Sequence, residues 1–336
     1  MKIFAAAGAM KGTLSCLETE RIFNSVFDDC PSFSVLPVSD GGDSFLSFVK
    51  RMLPEMKERR LRTISCDGES IYSKVLVSKN CAFIESSLTC GIMKKFLPIT
   101  QRTSEGVGIL IKKLYDLKRT IYVGIGGTLT CDIGYGMLKA LNVECSSYEG
   151  TNILKDSKKS RMYSLLAGIA DVNSPLEGEY GAVMYLKQKR ATTAEIKRIK
   201  NLLCKTSRTL NACNMKHAGS GGGLGLAMTL AGGRVADNFD FIDLSIGVKK
   251  RIKEADVVIV NEGAFDLQSK KGKLTGRIVE EALRQKKKAV IIAGGFNETP
   301  RGALEIKVKE PQKPSRENYI RNFYCAVKKT KELLYG

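Results

Sequence analysis

Residues 255–266 read ADVVIVNEGAFD: four consecutive β-branched residues, Val257 to Val260, run directly into a loop that carries Asn261, Glu262 and Asp266. A strand with one wet face alternates polar and apolar residues. A strand apolar at every position is buried on both faces, as in a parallel sheet covered by helices. KAVIIAGGF at 288–296 repeats the pattern, and so does IFAAAGAM at 3–10. The last of these stops at Lys11 after eight residues with no cleavage pattern behind it, so it reads as a buried strand and not as a signal peptide.

Outward from these strands the order is strand, glycine-rich or acidic loop, helix, repeated. Ser15 and Glu18 form the two halves of a capping box, and Ile22, Phe23, Val26 and Phe27 follow at helical spacing. SFSVLPV at 32–38 is a second strand leading into SDGGD, and 45–52 reads as a helix. From about residue 59 the texture changes. LRTISC, IYSKVLVS and CAFIESS alternate like strands of a different sheet, with DGES as a turn. TIYVGIGGTLTCD and YSLLAGIADVNSPL are apolar strands ending in polar loops, followed by a helix near 192–210 and the loop AGSGGGLGLA. KEPQKPSRENY is the one disordered-looking piece, and a final helix follows it. The expected architecture is two α/β domains. A Rossmann-like parallel-sheet domain, 1–58 plus 235–336, is interrupted by an inserted α/β domain over 59–234, with the active site in the interdomain cleft.

Composition removes several classes of function. With 43% apolar residues the chain has material for buried cores, yet no apolar run approaches the roughly 18 residues of a membrane span. The ten cysteines show no Cys-x-x-Cys pair and no histidine at ligand spacing, which reads as reduced thiols in a cytoplasmic protein. The net charge of +19 invites a nucleic-acid partner. However, KKSR, KQKR and RQKKK carry no interleaved aromatics, and no nucleic-acid motif is present. The expected partners are small molecules, with neither nucleic acid nor membrane; the positive field helps gather anions.

Five charged or glycine-rich loops follow apolar strands directly, and in open α/β sheets ligands bind at the carboxyl ends of strands. GAMKGTLS lacks the P-loop order; it places Gly12 and Thr13 at a helix N-terminus with Lys11 beside them, suited to an anion or to a plain capped turn. SDGGD offers Asp40 and Asp43 around two glycines, which are also ordinary turn residues. In GIGGTLTCD, Gly126 and Gly127 allow close approach of a phosphate, and Asp132 serves either the site or the cap of the next helix. ADVNSP sets Asp171 at a strand end, suited to a general base, to Mg²⁺ or to an Asx turn. NEGAFDLQSKKGK is the richest, with Glu262, Asp266, Gln268 and Lys273 within twelve residues. In AGSGGGLGLA the amides of Gly222 and Gly223 can cradle a phosphate. His217, the only histidine, supports no Ser-His-Asp triad.

The ordered set KGTLS, PVSDGG, GIGG, DVNSPL, GGLG and NEGAFDLQ resembles the motif series of the type I glycerate kinase family across nearly the whole chain. The resemblance implies a two-domain α/β enzyme that phosphorylates D-glycerate with ATP and Mg²⁺, in this family usually at the 2-hydroxyl. Carried onto this chain, Lys11, Lys273, Gln268 and the amides of Gly12, Thr13, Gly126, Gly127, Gly222 and Gly223 hold phosphates and carboxylate. Two of Asp171, Glu262 and Asp266 hold Mg²⁺. Lys11, Asp40, Asp132 and Asp171 form the catalytic set, with Asp40 or Asp132 orienting the attacking hydroxyl. The family pattern expects Asp at Gly8, Ser at Ala9, Asn at Cys131, Asn at Ser174 and Arg at Ala264. Those departures keep a catalytically silent or respecialised binding protein as the alternative.

Overall fold

The computed structural model describes the whole chain apart from residues 11, 116–118, 144–145, 149–150, 154–162, 171, 266–268, 270–272 and 314; for 146–148 and 151–153 it describes strands but not side chains. The chain falls into two compact units, Met1–Phe48 with Asn238–Gly336, and Val49–Asp237.

The chain opens with β1 (Ile3–Ala7), α1 (Cys16–Val26), β2 (Phe33–Pro37) and α2 (Phe45–Met52). Next come β3 (Lys57–Ile64), β4 (Ser70–Val77), β5 (Cys81–Glu85), α3 (Ser87–Cys90), α4 (Glu105–Leu114), β6 (Thr120–Gly124) and α5 (Tyr135–Ala140). A small hairpin of β7 (Ser146–Tyr148) and β8 (Thr151–Ile153) precedes β9 (Leu166–Ala170), α6 (Thr193–Thr209), α7 (Leu224–Leu230) and β10 (Arg234–Asp237). The last stretch holds α8 (Asn238–Ile246), α9 (Val248–Glu254), β11 (Val257–Glu262), α10 (Leu274–Arg284), β12 (Lys288–Ala293), β13 (Ala303–Lys307) and α11 (Arg316–Tyr335).

The first unit is built on a five-stranded sheet in the order β13-β12-β11-β1-β2, parallel throughout. Its central strands are the fully apolar runs: every residue of β1 is buried, as are Val257 to Val260. Burial of each of the larger side chains, Ile3, Phe4 and Val257 to Val260, contributes about 1.5–3 kcal/mol. Helix α1 starts at a complete capping box of Ser15 and Glu18. Its inward stripe meets α11, where the Phe23 and Phe323 rings pack edge to face at 5.8 Å, and Phe27 stacks on Phe33 at 4.2 Å.

The second unit carries a six-stranded mixed sheet, β10-β9-β6-β5-β4-β3. Strands β3, β4 and β5 pair antiparallel, then β5, β6, β9 and β10 run parallel. The charged start of β3, Lys57 to Arg60, is exposed at the sheet edge, where charges discourage pairing with another chain. Because β5, β6, β9 and β10 share a direction, Glu85, Gly124, Ala170 and Asp237 end at one edge of the sheet. No helix among the described residues is long and apolar enough to cross a membrane.

Candidate active site

In the first unit the loop after β1 is anchored from β11. The Asn261 side chain is fully buried; its Oδ1 accepts from the Gly8 N–H at 3.0 Å and its Nδ2 donates to the Gly8 carbonyl at 2.7 Å. The Thr19 hydroxyl donates to the same carbonyl at 2.8 Å. A Cβ at Gly8 would stand 2.9 Å from the Asn261 carbonyl oxygen, so the backbone contact leaves no room for a side chain there.

Beyond Gly8 the chain folds into a tight turn, not into the helix. The Met10 N–H donates to Leu14 O at 2.8 Å, and the amide and hydroxyl of Thr13 both donate to Met10 O, at 2.8 and 2.9 Å. Gly12 and Thr13 therefore sit in the turn immediately ahead of the α1 N-terminus. The capping box delays α1 to Cys16 and leaves Gly12 as the exposed, positive-φ tip. The helix terminus already holds the Glu18 carboxylate. Burial raises its pKa, but hydrogen bonds from Ser15 and the Arg316 guanidinium outweigh it and keep the group below the usual glutamate range.

A pocket of about 190 Å³ opens between this turn and the loop after β2, lined by Ala9, Gly12, Thr13, Ser15, Asp43 and Ser44. Drug- and cofactor-sized sites run to roughly 300–1,000 Å³, so this one suits a small acid or a phosphate group and not a whole nucleotide. Asp40, in the β2 loop, closes an Asx turn by accepting from Gly42 N at 2.9 Å, and its carbonyl takes Asn238 Nδ2 at 3.4 Å.

Glu262, Lys273 and Thr275 come together at the end of β11. Lys273 Nζ donates to Glu262 Oε1 at 3.0 Å and Thr275 Oγ1 to Glu262 Oε2 at 2.5 Å. The pair is largely shielded, its side chains 21% and 14% exposed. Both Glu262 oxygens are thus engaged, and among the described residues no group of three or more acidic, cysteine or histidine side chains is arranged for a metal ion. Lys11, Asp171, Asp266 and Gln268 lie outside the described residues.

In the second unit the GIGG loop leaves β6. Ser86 binds it through N–H to Gly124 O at 3.0 Å and hydroxyl to Gly126 O at 3.1 Å. Gly127, at φ +68, is partly exposed. The Asp132 carboxylate ties two helices: Oδ2 accepts from Ser104 N and Oγ, both at 2.8 Å, and from Gly136 N at 3.1 Å, while Oδ1 accepts from Gly134 N at 3.1 Å. The glycine loop is a packing surface. Gly221, Gly222 and Gly223 all have positive φ, and a Cβ at Gly222 would lie 2.1 Å from Thr130 O. The amides of Gly222 and Gly223 already donate to Gly219 O, at 3.1 and 3.3 Å. Ser220 Oγ donates to Val172 O at 2.6 Å, and His217 Nδ1 lies 3.1 Å from that oxygen. The histidine thus braces the loop after β9.

Cys131, buried beside Asp132, is a thiol: burial pushes its pKa up to about 11, and that of the neighbouring Cys90 up to about 12. The sequence reading passed over Glu85. It is 5% exposed at the carboxyl end of β5, in register with Gly124, and Ser87 Oγ donates to it at 2.6 Å. The signal was there, since CAFIESS is also an apolar strand closing on a charge. Nothing in the sequence pointed to Arg102, Lys189 or Thr275.

Residues 3–315 match the model of the glycerate kinase family. The chain belongs to that family. It is 29% identical to glycerate 2-kinase of Escherichia coli K12, over 89% of this chain and 86% of the relative. It is also 29% identical to glycerate kinase of Haemophilus influenzae, over 89% and 87%, and 26% identical to glycerate kinase of Bacillus subtilis, over 88% and 86%. A Salmonella typhimurium LT2 protein, its crystal structure described as that of a glycerate kinase 2, superposes with a TM-score of 0.69 over 99% of this chain and 98% of that one, at 23% identity. As a glycerate kinase family member the chain is a phosphotransferase with an alcohol acceptor, and its two parallel-rich sheets are the fold of that structural neighbour.

Proposed function

We propose that this protein phosphorylates D-glycerate to 2-phosphoglycerate with ATP in the cytoplasm. The observation that carries the reading is geometric: in both units the loops bearing Gly12, Asp40, Glu262, Gly126 and Asp132 leave parallel strands at their carboxyl ends, where α/β folds bind ligands. Phosphoryl transfer asks little covalent chemistry of the protein; it asks for positioning and charge neutralisation. The 190 Å³ pocket beside Thr13 and Asp43 has the size of a three-carbon acid or one phosphate group. Lys11 and Lys273 supply cations for phosphates, Lys273 held in place by Glu262. Gly126 and Gly127 let a ligand approach the backbone, with Gln268 supporting ATP. Asp40 orients the attacking hydroxyl, and Asp132 keeps the β6 loop fixed through its amide bonds.

Mg²⁺, when bound, would neutralise phosphate charge; two of Asp171, Glu262 and Asp266 are the residues proposed to hold it, Glu262 being also bonded to Lys273 and Thr275. The test is ADP release by the purified protein with ATP, Mg²⁺ and D-glycerate, with the product assigned as 2- or 3-phosphoglycerate. Turnover at an ordinary kinase rate, lost by orders of magnitude in Lys11→Ala, bears the reading out; a wild-type rate in Lys11→Ala refutes the role of that lysine. One observation favours the alternative of a respecialised or silent binding protein: backbone contact at Gly8 excludes the acidic side chain that the family resemblance expects. That reading predicts no turnover, with glycerate or ATP still raising the melting temperature.

A further inference from the structure

Two buried cations converge on the loop that follows β6. Lys189 and Arg102 are 7% and 2% exposed. Lys189 Nζ donates to Thr128 Oγ1 at 3.0 Å and Thr130 O at 2.6 Å. Arg102 donates through one nitrogen to Leu129 O at 3.1 Å and to the carbonyl of Lys189 at 2.6 Å, and through Nε to Leu97 O at 2.9 Å. Three successive loop residues are therefore held by two positive charges, and the remaining guanidinium nitrogen, Nη2, is buried with no hydrogen-bond partner among the described residues.

Neither cation has a carboxylate at ion-pair distance among the described residues. The acidic groups that act on them do so from farther away, Asp132 on Lys189 and Glu195 on Arg102. Asp132 is bonded to backbone amides and Ser104, and Glu195 caps α6 and accepts from Ile99 N. Burial pulls the Lys189 ammonium below the ordinary lysine range, although Asp132 works against the shift. Burying unbalanced charge is costly. A neutral amide or hydroxyl would pin loop carbonyls without that cost, so the positive charge itself requires a reason.

We infer that Lys189 and Arg102 are positioning residues of the phosphotransfer site: they hold the Thr128–Thr130 segment and set a positive field behind it for the anionic group, phosphoryl or carboxylate, that binds on the Gly126–Thr130 loop. Such a fixed field is available at the moment of reaction without reorganisation. The inference rests on the kinase reading above and adds a residue role to it.

The experiment compares wild type with Lys189→Met, which keeps the stem and removes the charge, and Lys189→Arg, which keeps the charge. kcat and KM for D-glycerate are measured beside melting temperatures with and without inorganic phosphate. Expected is a folded Lys189→Met protein with kcat down about 100-fold and KM changed less than about threefold, while Lys189→Arg recovers to within about tenfold of wild type. A folded Lys189→Met protein with kcat within threefold of wild type, or an Arg variant no better than Met, overturns the inference. A merely structural lysine would lower the melting temperature and leave kcat per folded molecule unchanged. If Lys189→Met does not fold, Arg102→Met with Arg102→Lys as its rescue reads the same difference. Failure of wild type to turn over refutes the kinase reading instead. The phosphate arm then decides: a phosphate-induced rise in melting temperature that wild type shows and Lys189→Met loses supports the charged loop, and a rise kept in the variant, or absent from wild type, refutes it.

Discussion

Replacing Asn261 by leucine tests the idea that one buried amide fixes the loop after β1. The substitution preserves volume and removes both hydrogen bonds to Gly8, of 3.0 and 2.7 Å. The Gly8 N–H is then buried without an acceptor, which costs about 1–3 kcal/mol. The second lost bond costs less, about 0.5–1.5 kcal/mol, because the Gly8 carbonyl keeps the Thr19 hydroxyl. Added apolar burial by leucine offsets part of this, and the expected net loss is about 2 kcal/mol. Urea unfolding of wild type and variant, read as the midpoint shift at constant m, gives the number. The double variant Asn261→Leu/Thr19→Val sharpens the test. Only together do the two changes strip the Gly8 carbonyl of all its side-chain partners, so the double variant should lose about 0.5–3 kcal/mol more than the sum of the singles. A single-variant loss below about 0.5 kcal/mol, or strict additivity, refutes the reasoning.

Gly222→Ala should prevent accumulation of folded protein or lower its melting temperature strongly, because the new Cβ meets Thr130 O at 2.1 Å at a positive φ of 73°. Gly12→Ala, also at positive φ but with nothing within 4 Å, should cost only the left-handed strain of about 1–2 kcal/mol. A thiol reagent on the native protein should label Cys213 and Cys325 quickly and reach Cys16, Cys66, Cys90 and Cys131 only on unfolding, which peptide mapping checks. On the acid side, Glu195 is held below the ordinary glutamate range by hydrogen bonds from Thr192, against some burial, with Ile99 N and Arg102 adding to the effect, and Glu18 is lowered likewise. The unfolded state therefore takes up protons first. Stability is complete above about pH 5 and falls as the pH drops through the folded-state values; Glu195→Gln should flatten that limb of a melting-temperature profile, and an unchanged slope counts against it.

Much of this protein was readable from local chemistry. Fully apolar runs cannot tolerate a wet face, so Val257–Val260 and Ile3–Ala7 had to lie inside a covered parallel sheet. The Ser15/Glu18 pair marked the start of α1 because it satisfies that helix end from within four residues of sequence. The end of β5 was equally legible, for Glu85 follows the same rule as Glu262.

The tertiary structure decided which charges meet and which loops can receive a ligand, since those depend on contacts between residues far apart in the chain. Asn261 reaches Gly8 across 253 positions and Arg102 reaches the Lys189 carbonyl across 87, distances over which no spacing rule operates. The glycines of AGSGGGLGLA look like a phosphate cradle in the sequence; in the fold they give passage to another loop's backbone, and their amides are already spent. Local pattern determines what a segment can form, because strand, cap and turn energies are settled within a few residues. Whether a polar group remains available for chemistry is settled only when distant backbone arrives to claim it or leaves it open.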